Sequence, residues 1–153
     1  MKPSATVLSF VFILALRSVA HSENRECFGD LAENLAKGGY AGSLNCDIIR
    51  IKMIRIGYVH TKSMNFSIFD YRYWTIPQHR EPSKAGQRIL IFDDRMSYLG
   101  EYVLSTPPFH TVRISGSRIL INVSAKNGNS ISFSKDKLPI RVFLNQELVD
   151  LSR

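Results

Sequence analysis

A chain of 153 residues, 44% apolar and carrying a net charge of +7, is long enough for one domain with a single core. The positive balance favours anionic partners, but no block of like charges forms a basic tail, and no nucleic-acid partner is expected. No internal repeat or low-complexity segment interrupts it.

The first twenty residues read as an export signal. Lys2 supplies a positive start, Ala5 to Leu16 is apolar apart from Thr6 and Ser9, and Ser18-Val19-Ala20 fits a small-x-small cleavage site. The apolar run is short for a bilayer crossing, which takes about 20 residues. Cutting after Ala20 leaves residues 21–153 as one β-rich domain with no transmembrane segment, placed in the periplasm or secreted. Lys2 and Arg17 leave with the signal and no acid does, so the charge of +7 falls by two. In an oxidising compartment Cys27 and Cys46 are expected to pair, contributing about 3 kcal/mol by closing their loop.

Phe28, Leu31, Ala32, Leu35 and Ala36 share one helical face, with Asn24 placed to cap the start and Gly38 to take the left-handed position at the end. The Gly-rich run after it follows a helix instead of preceding one, so it reads as a connector and not a phosphate loop. Asp47–Val59 and Met64–Trp74 read as paired long strands across a turn at residues 60–63. Both change apolar face part-way, and pairing puts Met53-Ile54 opposite Asp70-Tyr71, so a bulge is expected there in each strand. Thr75–Gln87 carries no strand pattern and reads as a long loop.

Arg88–Leu104 reads as a central hairpin turning at Asp93–Met96. Ile89 to Phe92 is apolar without alternation, the mark of a strand buried on both faces, and Tyr98, Tyr102 and Leu104 are expected on one face of its partner, with Leu99 and Val103 on the other. Short strands follow around Val112 and Ile114, over Arg118–Val123, around Ile131 and Phe133, around Ile140, Val142 and Leu144, and over Leu148–Leu151. The Asn127-Gly128 pair suits a hairpin turn. The fold class is mainly β: an antiparallel sandwich or barrel of eight or nine short strands with one short N-terminal helix. Ile89, Ile91, Ile119, Ile121, Val142 and Leu144 are the expected core.

Signals for chemistry are sparse. The histidines, His21, His60, His79 and His110, form no metal-ligand spacing, and no metal or cofactor is expected. Ser134-x-x-Lys137 falls on a hairpin turn and Asp93-Asp94 on another, so neither implies a nucleophile or a cation site, and no catalytic residue is assigned. Asn65-Phe66-Ser67 and Asn122-Val123-Ser124 are glycosylation sequons, relevant only on a eukaryotic secretory route. The richest segment is Phe69–Trp74 with the loop behind it. Trp74 offers a flat apolar contact, Arg72 and Arg80 offer forked donors, and His79 offers a donor that charges near neutral pH. Arg72, Trp74, His79 and Arg80 are therefore the candidate ligand-binding residues. The leading expectation is an exported, non-enzymatic β-domain binding an anionic envelope polymer or a partner protein. The alternatives are a small hydrolase built on His79 or His110 and a structural envelope protein acting by assembly.

Overall fold

The structure is a computed structural model describing residues 25–77, 82–105, 107–121, 129–134, 137–144 and 147–152. Four strands, β1 (Ile49–His60), β2 (Asn65–Thr75), β3 (Ala85–Phe92) and β4 (Tyr98–Ser105), form one antiparallel sheet in that order. Among the described residues two smaller ladders follow, β5 (Val112–Ser115), β6 (Arg118–Ile121) and β7 (Asn129–Ser132) in one, β8 (Arg141–Leu144) and β9 (Glu147–Asp150) in the other. The three sheets meet where β1 approaches β5, β7 approaches β8 and β4 approaches β9, and a backbone bridge joins Glu101 to Ser152. The fold is mainly β, with antiparallel sheets and a short helical start.

The apolar run of β3 has the expected cause. Ile89, Leu90, Ile91 and Phe92 are all fully buried, and alternation divides them between two clusters. Ile89 and Ile91 pack with Phe66, Ile68 and Tyr102 against Ile119, Ile121, Ile131 and Val142 of the smaller sheets. Leu90 and Phe92 pack with Phe69, Tyr71 and Tyr98 beneath the helical segment. Five of the expected core residues, Ile89, Ile91, Ile119, Ile121 and Val142, are buried; the side chain of Leu144 lies outside the described atoms. Ile140 departs from the expected alternation and is 73% exposed, because it precedes the first paired residue of β8.

The helical segment is broken in two, α1 (Arg25–Phe28) and α2 (Leu31–Lys37). Gly29 between them is left-handed (φ 56°), which ends the first turn yet keeps Phe28, Ala32 and Leu35 on the sheet. The expected Asn24 cap lies outside the described residues. The left-handed C-terminal position belongs to Gly39 (φ 81°) and not Gly38, whose φ is −80°. Gly39 and Tyr40 donate to the carbonyls of Ala36 and Leu35, a Schellman ending that turns Tyr40 down onto the sheet. Cys27 and Cys46 are disulfide-bonded, tying α1 to the approach of β1.

Three expectations about the strands need correction. Met53 does face Tyr71, and Ile54 faces Asp70, but the bulge lies between Arg55 and Gly57 and only in β1. β2 runs through unshifted against β3; its change of apolar face reflects burial on both sides of an inner strand. In β4 a shift against β3 between Ile91 and Phe92 makes Leu99 an extra residue, so Tyr98 faces the helices and Tyr102 the smaller sheets. Finally, Ala85–Gln87 belong to β3, so the loop before it is shorter than expected. Its base is pinned to Thr75, whose N–H donates to the Lys84 carbonyl (2.7 Å) and whose Oγ1 accepts from the Lys84 N–H (2.7 Å).

Candidate functional site

One face of β2 changes character along its length. Phe66 and Ile68 lie in the core shared with the smaller sheets, and the next residues on that face are Asp70, Arg72 and Trp74. Asp70 and its neighbour Gln87 on β3 are both buried, and their polar atoms are matched. Arg72 donates to Asp70 Oδ2 through Nε (3.1 Å) and a terminal nitrogen (2.7 Å). Gln87 Nε2 donates to Asp70 Oδ1 (2.7 Å) and to the His110 carbonyl (2.9 Å), while Gln87 Oε1 accepts from the His110 N–H (2.6 Å). Arg72 also donates to the His110 carbonyl (3.2 Å). The network therefore clamps the backbone of residue 110 to the sheet, and with it Phe109.

Phe109 sits between two members of β2. The Arg72 guanidinium lies 5.2 Å from its ring centre, and Trp74 meets it edge to face at 5.2 Å. Trp74 is half-buried. The register brings β1 alongside: Arg50 opposite Trp74, Lys52 opposite Arg72, Ile54 opposite Asp70. All three β1 residues are exposed, and neither Arg50 nor Lys52 makes an ion pair with another described residue. A cleft of about 450 Å³ opens at this end, lined by Arg50, Trp74, Thr75, Ile76, Pro77 and Ser83. A cation beside an indole, next to an open groove, suits an anionic group joined to a flat or apolar one.

The structure thus brings Arg72 and Trp74 together, with Arg72 turned inward to Asp70 and His110. His79 and Arg80 lie outside the described residues. Sequence reasoning missed Arg50, Lys52 and Phe109. Strand alternation places Arg50 and Lys52 on one face, but only the pairing register sets them against Trp74 and Arg72.

A second polar group lies on the helix side. Arg88 donates to Glu101, both shielded, and the guanidinium lies over the rings of Tyr40 (5.7 Å) and Tyr73 (5.5 Å). Burial pushes the Glu101 carboxyl above its ordinary range against the pull of Arg88. Burial likewise raises the phenols of Tyr40, Tyr71 and Tyr98. The Glu101 side chain is 4% exposed and that of Arg88 20%, so the carboxylate is committed to its cation beneath Tyr40.

Other sequence signals resolve into local structure. Asp93 Oδ1 accepts from the N–H groups of Arg95 (2.9 Å) and Ser97 (2.7 Å), which is turn chemistry. Ser134 and Lys137 close a tight bridge through their backbones, the Lys137 N–H donating to the Ser134 carbonyl (3.1 Å). Among the described residues no group of three His, Cys, Asp or Glu could hold a metal, and no helix is long and apolar enough to cross a membrane. No known protein family, characterised protein or solved structure matches the chain.

Proposed function

We propose that this chain is an exported, non-enzymatic β-domain that binds an anionic envelope component or partner protein at the open end of β1 and β2. The observation that carries the reading is the cleft beside Arg50 and Trp74, where a cation without an acidic partner among the described residues stands against a half-buried indole. Arg50 and Lys52 supply the charge, Trp74 the flat contact, and Arg72 a positioning role, since its guanidinium holds Phe109 and residue 110 in place. Export rests on the signal-like residues 1–20 and on a disulfide that an oxidising compartment sustains.

The hydrolase alternative has less support. Of its two histidines, His79 lies outside the described residues, and His110 is held by its backbone to Arg72 and Gln87, which also take both oxygens of Asp70. An assembly role is a second reading, favoured by Phe143, which is 69% exposed on β8.

Trp74 is the chain's single tryptophan, so its fluorescence reports on this site without ambiguity. Titration with polygalacturonate and with polyglutamate should shift the emission in at least one case, and a neutral dextran should not. The shift should be lost in the Arg50→Ala/Lys52→Ala double variant. Silence towards both polyanions overturns the reading.

A further inference from the structure

Building on the anion-binding reading above, we infer that the occupant is an extended acidic polypeptide segment, added as a strand along the outer edge of β1 from Arg50 to Ile54. β1 is the end strand of its sheet, and its ladder partner among the described residues is β2 alone. The smaller sheet approaches β1 at the bulge, where Ile114 lies against Gly57. The backbone groups of residues 50–54 that point away from β2 make no hydrogen bond to another described residue. Such an edge is a template for one more strand.

Side-chain chemistry selects the occupant. Residues 50, 52 and 54 share the exposed face, presenting a cation, a second cation and then an isoleucine 46% exposed. An added strand sets its own alternate side chains directly against these. The matching segment carries two acids at alternate positions with an apolar residue two further on, its acid end reaching the cleft beside Trp74. A second copy of this chain is a poor occupant, because pairing the same edges sets Arg50 and Lys52 against their equivalents. A polysaccharide would use the charges and the indole but leave the open backbone groups unused, so the free edge favours a polypeptide.

The test uses the full, disulfide-bonded chain and short synthetic peptides of alternating pattern, Glu-Thr-Glu-Thr-Val and its reversed order, extended by Ser-Gly at both ends. One order should shift Trp74 emission and slow amide hydrogen exchange at residues 50–54. N-methylation of alternate peptide nitrogens on the edge-facing side should weaken binding by about tenfold or more, since it removes main-chain donors and keeps every charge. Arg50→Ala should weaken it by about tenfold. Binding untouched by N-methylation, or no added protection at residues 50–54, overturns strand addition. A response of Trp74 to polygalacturonate with the peptides silent overturns it too, while leaving the anion-binding reading intact. Silence to every anion removes both.

Discussion

On the helix side of the four-stranded sheet Arg88 and Glu101 meet beneath Tyr40, sealed by a segment that the Cys27–Cys46 disulfide ties down. On the opposite side Arg50 and Lys52 stand exposed, with no ion pair among the described residues. The first arrangement costs desolvation that the Arg88–Glu101 contact offsets only in part, and its charges are committed to each other. The second costs almost nothing to fold and leaves its field directed at solvent. Arg72 lies between these cases: it is spent on Asp70 and the residue 110 carbonyl, yet its position fixes Phe109 against Trp74. A basic residue in this protein is thus informative about binding only once its internal partners have been counted.

The sharpest way to break the contrast is to remove one half of the enclosed pair. Arg88→Ala leaves Glu101 buried without its cation and should cost about 3–5 kcal/mol. Replacing both partners with apolar residues of similar volume, Arg88→Met with Glu101→Leu, should restore most of that loss. Urea denaturation of the three proteins measures it. A single variant that loses less than about 1 kcal/mol would show that water reaches Glu101, and the two sides would no longer differ in kind. The exposed Arg141–Asp150 pair, with side chains 66% and 60% exposed, is the reference, because a pair so open contributes at most about 1 kcal/mol.

Alkaline pH probes the same enclosure with a gentler perturbation. Burial raises the phenols of Tyr40, Tyr71 and Tyr98 above the ordinary 10.0. Between the ordinary value and the raised ones the unfolded chain has released protons that the folded chain retains. Stability is therefore unaffected by these groups below about pH 10 and falls as pH rises beyond it. Absorbance from these tyrosinates should appear together with loss of the β circular-dichroism signal. Ionisation of all three near their ordinary value in a folded protein would mean that the helix-side cluster is wet.

The two-sided burial of Ile89–Phe92 was legible in the sequence because an unbroken apolar run in a short strand puts apolar side chains on both faces, and both then need cover. The disulfide was legible through the cysteine count and the signal-like pattern of residues 1–20. The pattern misled where one residue changes its meaning. The apolar face from Phe28 to Ala36 hid the left-handed Gly29, and the extra residue Leu99 put Tyr98 and Tyr102 on opposite sides despite their even spacing. The candidate site was half legible. Aromatic and basic residues at 72 and 74 are close in sequence, but Phe109 reaches them only through the Gln87–Asp70 clamp, and Arg50 only through β1–β2 register.

The smallest expected effect is on stability at the open strip, and it is the one that separates a binding surface from a structural one. Arg50 and Lys52 have no described acid to lose, and their side chains lie on an exposed face of an end strand. The Arg50→Ala/Lys52→Ala double variant should therefore change unfolding free energy by no more than about 0.5 kcal/mol. Two effects pull in opposite directions: removing like charges two residues apart relieves mild repulsion, and alanine suits a strand slightly less well than a longer side chain. Urea midpoints for wild type and variant should agree, with equal slopes, while the Trp74 response to polyanions is lost. A loss of stability as large as that of a buried group would mean that these cations support the fold itself, and the contrast between the two sides of the sheet would fail at its functional end.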